Sequence, residues 1–214
     1  ETLELRGAPA DAIVEAAKST RAEAIVVGTH GREGASRFFL GSVAECALRT
    51  AGVPVFVASP HSCAASFTRI AVALDDSDPA GAALEFAMDI ARPAATLVLA
   101  HVVAAGRINA TDLIDRATAK VRERGLKVET VFIEAEPIAG LLDIAHTHDI
   151  GLLVIGTHGR RGVHRLLVGS VAEGVIRECT VPVVALRARE PDVNPTALWL
   201  FNKPSQHVHM PVGS

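Results

Sequence analysis

The sequence predicts an α/β protein built on a doubly wound parallel sheet, laid out in tandem with the first copy incomplete. Three observations predict it. Apolar runs of strand length alternate with capped or amphipathic helical stretches. The strand runs are apolar throughout instead of alternating, as in sheets covered on both faces. A glycine-rich stretch follows one such run in each half of the chain. It reads Gly28-Thr29-His30-Gly31, nine residues, then Gly41-Ser42-Val43-Ala44-Glu45, and returns as Gly156-Thr157-His158-Gly159, nine residues, then Gly169-Ser170-Val171-Ala172-Glu173.

Sliding the sequence on itself by about 128 residues aligns Glu1–Ala58 with Glu129–Leu186, with roughly a third of the positions identical. Identities cluster at the glycine stretch and at Val53-Pro54-Val55 and Val181-Pro182-Val183. Residues 1–58 therefore read as the C-terminal part of a first unit and 68–187 as a complete second unit. The segment before Glu129, about 60 residues from Thr68, has no counterpart in the first copy. A fragment of a longer chain is expected.

Residues 1–6 alternate weakly and match the strand expected at 127–133. Pro9 opens a helix to about Thr20, with Ile13, Val14, Ala16 and Ala17 inward. A buried strand follows over 23–28, then a helix over 41–51 stopped by Gly52, then a strand over 53–58. Residues 59–67, with Pro60, His61 and small polar residues, read as a linker. The second unit gives a strand at 68–74, a helix at 79–91, a strand at 94–103 and an amphipathic helix at 111–125 striped by Leu113, Ile114, Ala117 and Val121. A strand at 127–133, a helix at 137–148, a strand at 151–156, a helix at 170–179 and a strand at 182–186 complete it. Beyond Arg187, Pro191, Pro195, Pro204 and Pro211 break any element, and 188–214 reads as a poorly ordered tail.

Composition excludes several function classes. Of 214 residues, 49% are apolar, ample for a packed core. A formal charge of −3 and 4% aromatics give no electrostatic or stacking case for nucleic acid or an anionic membrane. Cys46, Cys63 and Cys179 are scattered, so reduced thiols and a cytoplasmic protein are expected in place of a zinc site or disulfide framework. No apolar run reaches the roughly 18 residues of a membrane-spanning helix. No GxSxG, Cys/His constellation or Walker lysine is present, so neither nucleophilic catalysis nor rapid phosphoryl transfer is expected.

Strand, glycine-rich loop and helix start together aim main-chain N–H groups and the positive helix end at one spot, which suits a phosphate. Gly41 and Gly169 sit at the helix starts. Ser42 and Ser170 precede Glu45 and Glu173 by three residues, so each pair reads equally as a capping box or as a phosphate contact compatible with one. His30 and His158 have no second ligand at metal spacing. Arg32, Arg160 and Arg161 read as solvated charges or phosphate partners. Asp75 ends an apolar strand where a carboxylate can accept from ribose hydroxyls or an adenine amine; the competing role is capping the next helix, which Asp78 also offers. His101, inside an apolar strand, reads as structural. If the strands at 68–74 and 151–156 are neighbours, Asp75 and Gly156 share one mouth at the sheet's C-terminal edge.

The pattern Gly-x2-Gly-x9-Gly-Ser, present in both copies, resembles the nucleotide-binding branch of the universal stress protein family. The resemblance covers about residues 1–187. It implies a Rossmann-like sheet of five parallel strands per unit that binds ATP, with or without magnesium. It also implies pairing, within the chain or between copies, through the last strand of each unit. Carried over residue by residue, it assigns Asp75 to the nucleoside and Val102 and Ala73 to the adenine pocket. Ile155, Gly156, His158, Gly159, Gly169, Ser170 and Val171 would cradle ribose and phosphates. Gly28, His30, Gly31, Gly41, Ser42 and Val43 match in the first copy, whose Asp and adenine strand have no counterpart here. The expected function is a nucleotide-dependent stress-response module, not a fast enzyme. A loop-silent dimerisation module and a slow ATPase related to the adenine nucleotide alpha hydrolases are the alternatives.

Overall fold

The computed structural model describes residues 2–29, 40–59, 62, 67–103, 111–157 and 168–187. The expected loop residues at 30–39 and 158–167 and the tail at 188–214 lie outside these. Thirteen elements follow in chain order: α1 (Pro9–Ser19), β1 (Ile25–Gly28), α2 (Ser42–Thr50), β2 (Val55–Ala58), β3 (Arg69–Ala73), α3 (Asp78–Ile90), β4 (Thr96–Val103), α4 (Thr111–Glu123), β5 (Lys127–Glu134), α5 (Pro137–Thr147), β6 (Leu152–Gly156), α6 (Ser170–Glu178) and β7 (Val183–Leu186).

The seven strands form one sheet in the order β1-β2-β7-β6-β3-β4-β5. Every neighbouring pair is parallel except β2 and β7, which run antiparallel with Phe56 opposite Val184. From β3 the chain winds outward to β4 and β5, then crosses back to β6 on the other side of β3. The winding thus reverses between β3 and β6, which pair directly, Val72 opposite Val154.

Strand alternation sorts the apolar side chains onto two faces. Val98, Ala100, Leu153, Ile155, Val183 and Ala185 lie in one core with residues of α1, α2, α5 and α6. Ile70, Val72, Leu97, Leu99, Leu152 and Val154 lie in the other with residues of α3 and α4. Phe56 of β2 meets Phe86 of α3 edge to face, with ring centroids 6.0 Å apart. So α3 reaches across to the antiparallel strand pair.

The helices start and stop for local reasons. Pro9 and Pro137 open α1 and α5. Gly125, at φ 71°, ends α4: its N–H and that of Leu126 donate back to Arg122 and Val121. Gly52 does not act as the expected stop. Its φ is not positive, and α2 ends because Ala51 turns extended, ψ 135°. Residues 2–6 carry no strand, contrary to their match with 127–133. The strand β5 owes its ladder to β4, and the described residues give 2–6 no such neighbour.

Arg69, at the start of β3, ties two later elements together. Its Nε donates to the His148 carbonyl at 2.7 Å, and its other two nitrogens grip both oxygens of Glu129 at 3.0 and 2.7 Å. The hydrogen bonds from Arg69 hold the Glu129 carboxyl below its ordinary value of 4.5. A depressed carboxyl stabilises the fold above its unfolded pKa and loses that contribution as pH falls through its folded one. Because Glu129 is half exposed, Glu129→Gln should cost less than about 1 kcal/mol at neutral pH. Urea unfolding at several pH values should show the gap to wild type closing below about pH 4.5.

A candidate nucleotide site at the sheet reversal

Both glycine-rich stretches leave the sheet in the same way. Thr29 and Thr157, each buried, follow the last strand residue. The Thr29 N–H donates to the Ala58 carbonyl at 3.0 Å, and the Thr157 N–H to Leu186 at 2.7 Å. Each threonine carbonyl then accepts from the glycine at the helix start: Gly41 onto Thr29 at 2.8 Å, and Gly169 onto Thr157. One main-chain bond therefore pinches each loop shut across its base. A Cβ on Gly41 would sit 2.8 Å from the Thr29 oxygen, so the pinch excludes a side chain there. The two threonines carry this geometry, and sequence reading passed over them although both copies repeat them.

The capping boxes do not form. Gly41 and Gly169 are the N-cap residues, with no side-chain cap, and Ser42 and Ser170 are already the first helical residues, exposed. A cap is made by the side chain of the N-cap residue, and a glycine there has none to offer. Glu45 turns instead along the helix to Arg49, 3.6 Å away. The amides of Ser170, Val171 and Ala172 thus open α6 without a capping side chain, at the positive end of its dipole.

Asp75 follows β3 at the reversal. It is half-buried and accepts from the Ser77 hydroxyl. That hydroxyl in turn accepts from the Ala80 N–H at 3.3 Å, so Ser77 caps α3 and neither Asp75 nor Asp78 does. Gly156 closes the same corner from β6. Its missing Cβ would lie 2.7 Å from Pro79 Cβ and 2.9 Å from the Ala80 nitrogen. The reason for glycine here is this close approach of α3, beyond the easy exit from the strand that the sequence suggests.

Ala73, Val102, Ile155 and Val171 pack on one face of the sheet, the face under α5 and α6. Ala73 and Val102 are half-buried, whereas Ile155 is buried and offers little surface to a ligand. Val102 also lies against Gly140 of α5, where a Cβ would come within 2.6 Å of its Cγ1. The structure thus brings Ala73, Asp75, Val102, Ile155 and Gly156 to one strand edge beside Gly169, Ser170 and Val171. In the first copy Gly28, Gly41, Ser42 and Val43 repeat the geometry, with no described equivalent of Asp75. His30, Gly31, His158, Gly159, Arg32, Arg160 and Arg161 lie outside the described residues. An open cleft of about 270 Å³ lies between α3 and α4, and the turn at 75–78, Asp75 included, forms one of its walls.

Other chemistry is sparse. Among the described residues no three His, Cys, Asp or Glu side chains are grouped to hold a metal ion. Burial pushes the Cys179 thiol up, away from the reactive thiolate. No helix of the described residues is long and apolar enough to cross a membrane.

A largely parallel sheet whose winding reverses between two neighbouring strands, with helices on both faces, defines the doubly wound α/β class. Within that class, the family model for universal stress proteins matches residues 1–59 and 66–187, and the chain belongs to the universal stress protein family. It is 32% identical over 195 residues to a universal stress protein of Mycolicibacterium smegmatis, covering 83% of this chain and 65% of that one. A Bacillus subtilis universal stress protein is 26% identical over 147 residues, 56% of this chain and 99% of its own. The crystal structure of a universal stress protein from Archaeoglobus fulgidus superposes with a TM-score of 0.66 at 28% identity, covering 84% of this chain and 66% of that one. The chain therefore spans just under two thirds of the length of the mycolicibacterial relative.

The two serine positions make the capping difference measurable. Ser77→Ala should cost about 1 kcal/mol, the worth of an N-cap. Ser170→Ala should cost no more than a few tenths, as at an exposed site. Thermal or urea unfolding of the two variants checks the contrast, and equal losses would show that Ser170 caps after all. Gly156→Ala should destabilise by about 1–3 kcal/mol, because the clash is with main chain that cannot rotate away.

Proposed function

We propose that the protein binds ATP at the mouth between β3 and β6 and works as a nucleotide-dependent stress-response module. The observation that carries this reading is the start of α6: three consecutive amides follow a glycine N-cap, with no side-chain cap among the described residues, on the strand edge that also carries the half-buried Asp75. Phosphate oxygens would take the amides of Ser170 and Val171. The Asp75 carboxylate would accept from ribose hydroxyls, and Ala73 and Val102 would line the adenine. His158 and Gly159 complete the cradle in the family pattern. Magnesium, where it accompanies the nucleotide, would ride on the phosphates.

The role proposed is binding, not turnover, since no lysine follows the glycines to neutralise charge as a phosphoryl group leaves. We assign residues 1–58 and 68–187 to two units joined through β2 and β7, with the complete site in the second. The free thiols of Cys46 and Cys179 favour a cytoplasmic protein.

Isothermal titration of the purified protein should give an ATP dissociation constant in the micromolar range. Asp75→Ala and Gly169→Val should each weaken it by about tenfold or more, through a lost carboxylate and a blocked amide seat. No ATP or AMP binding below roughly 1 mM would refute the reading. A turnover assay on wild type and the Gly169→Val variant tests slow hydrolysis separately.

A further inference from the structure

His101 is the buried polar group that the nucleotide reading leaves unused. It is 9% exposed and sits on β4, one residue before Val102. Strand alternation turns it to the face of Leu97 and Leu99, away from the proposed adenine pocket. Its Nδ1 lies 2.7 Å from the Leu74 carbonyl oxygen. A carbonyl only accepts, so Nδ1 carries the proton and donates. The ring also meets Phe132 of β5 edge to face, with centroids 6.2 Å apart.

The position of that bond is what matters. The β3–β4 ladder ends where the Leu74 N–H donates to the Ala100 carbonyl at 2.8 Å. The next carbonyl, that of Leu74, goes to the imidazole. Beyond it the chain bends into the 75–77 turn. The Leu74 carbonyl and the Asp75 N–H belong to one planar peptide, so gripping the oxygen fixes the plane from which the Asp75 side chain departs. Ser77 holds the Asp75 carboxylate from the other side. The carboxylate is thus set between two grips, one from a neighbouring strand and one from the following helix cap.

We propose that His101 is a positioning residue for Asp75: by donating to the Leu74 carbonyl it fixes the turn that presents the Asp75 carboxylate to the ribose of a nucleoside phosphate. The ribose clause rests on the function proposed above. The fixing of the turn does not.

Two measurements separate the clauses. Hydrogen exchange of the amides at 75–77, without nucleotide, reads the turn alone. Titration with ATP and with its 2′,3′-dideoxy analogue reads the carboxylate's use. His101→Phe keeps a ring against Phe132 and removes the donor, and His101→Asn keeps a donor near Nδ1. His101→Phe should raise exchange at 75–77 and weaken ATP by about tenfold while leaving the dideoxy analogue near its wild-type affinity. His101→Asn should restore both, and adding His101→Phe to Asp75→Ala should cost nothing further. If His101→Phe does not fold, His101→Leu, apolar and without a donor, takes its place.

Unchanged exchange and an unchanged preference for ATP in the donor-less variant would overturn the proposal, as would failure of His101→Asn to rescue, which marks a packing role. A wild-type protein with no preference for ATP over the dideoxy analogue would sink the ribose clause together with the function assigned to Asp75. Exchange at 75–77 would then tell that failure from a turn that His101 never held.

Discussion

A side chain at position 156 would stand where Pro79 and Ala80 now lie, and most of the site depends on that space being empty. The bare Cα of Gly156 lets the first turn of α3 rest directly on the end of β6. Ser77 can then cap α3 at the reversal point and hold Asp75 there. Asp75 comes from β3 and the glycine loop from β6, and the parallel pairing of these two strands makes them neighbours. The start of α6 would have no carboxylate near it if these strands were apart. Fold and site are joined by one missing methyl group.

The two motif copies show what the surroundings contribute to identical residues. Val26 and Val154 occupy matching positions in β1 and β6, yet Val154 is fully buried and Val26 is 60% exposed. The difference lies in their neighbours: β3 and α3 cover Val154, whereas β1 is the outer strand of the sheet. Other positions have diverged in compensating ways. Ile138 of α5 fills the space above Gly174 of α6. The corresponding residues of α1 and α2 are Ala10 and Cys46, small where the other is large and large where the other is absent. Arg21 and Asp149, also matched, both adopt left-handed backbone, φ 54° and 50°, after their helices. Backbone geometry persists at matched sites even where the side chains have no chemistry in common.

Much of this was legible in the residues. Element type and order follow from apolar period and glycine punctuation, and the doubled spacing of the loop fixes where each helix begins. What stayed hidden is of three kinds. Ser-x-x-Glu cannot say whether Ser is the cap or one residue inside. The Thr29 carbonyl settles it by taking the Gly41 amide and making the glycine the cap. The weak alternation at 2–6 cannot say whether a neighbouring strand exists, and a strand without one does not form. The role of His101 depends on a carbonyl 27 positions earlier in the chain. A lone histidine in an apolar strand carries no local sign of that partner, so the sequence showed only a buried polar side chain in need of one.

The antiparallel pairing of β2 with β7 sets how the two loops are placed. The strands β1 and β2 run one way and β6 and β7 the other, so the two glycine loops leave from opposite ends of the sheet. The two helix starts therefore lie at opposite strand ends. Any communication between them has to pass through packed elements. The direct route is short: β2 against β7, with Arg187, just past the end of β7, donating to the Arg49 carbonyl at 2.6 Å. That carbonyl lies in the last turn of α2, where the helix dipole favours a cation. The start of the same helix is the Gly41 pinch. The C-terminal end of β7 lies beside the base of the second loop, where the Thr157 N–H donates to the Leu186 carbonyl. This path is a contiguous chain of main-chain bonds and one guanidinium, and it exists only because the two halves meet strand to strand.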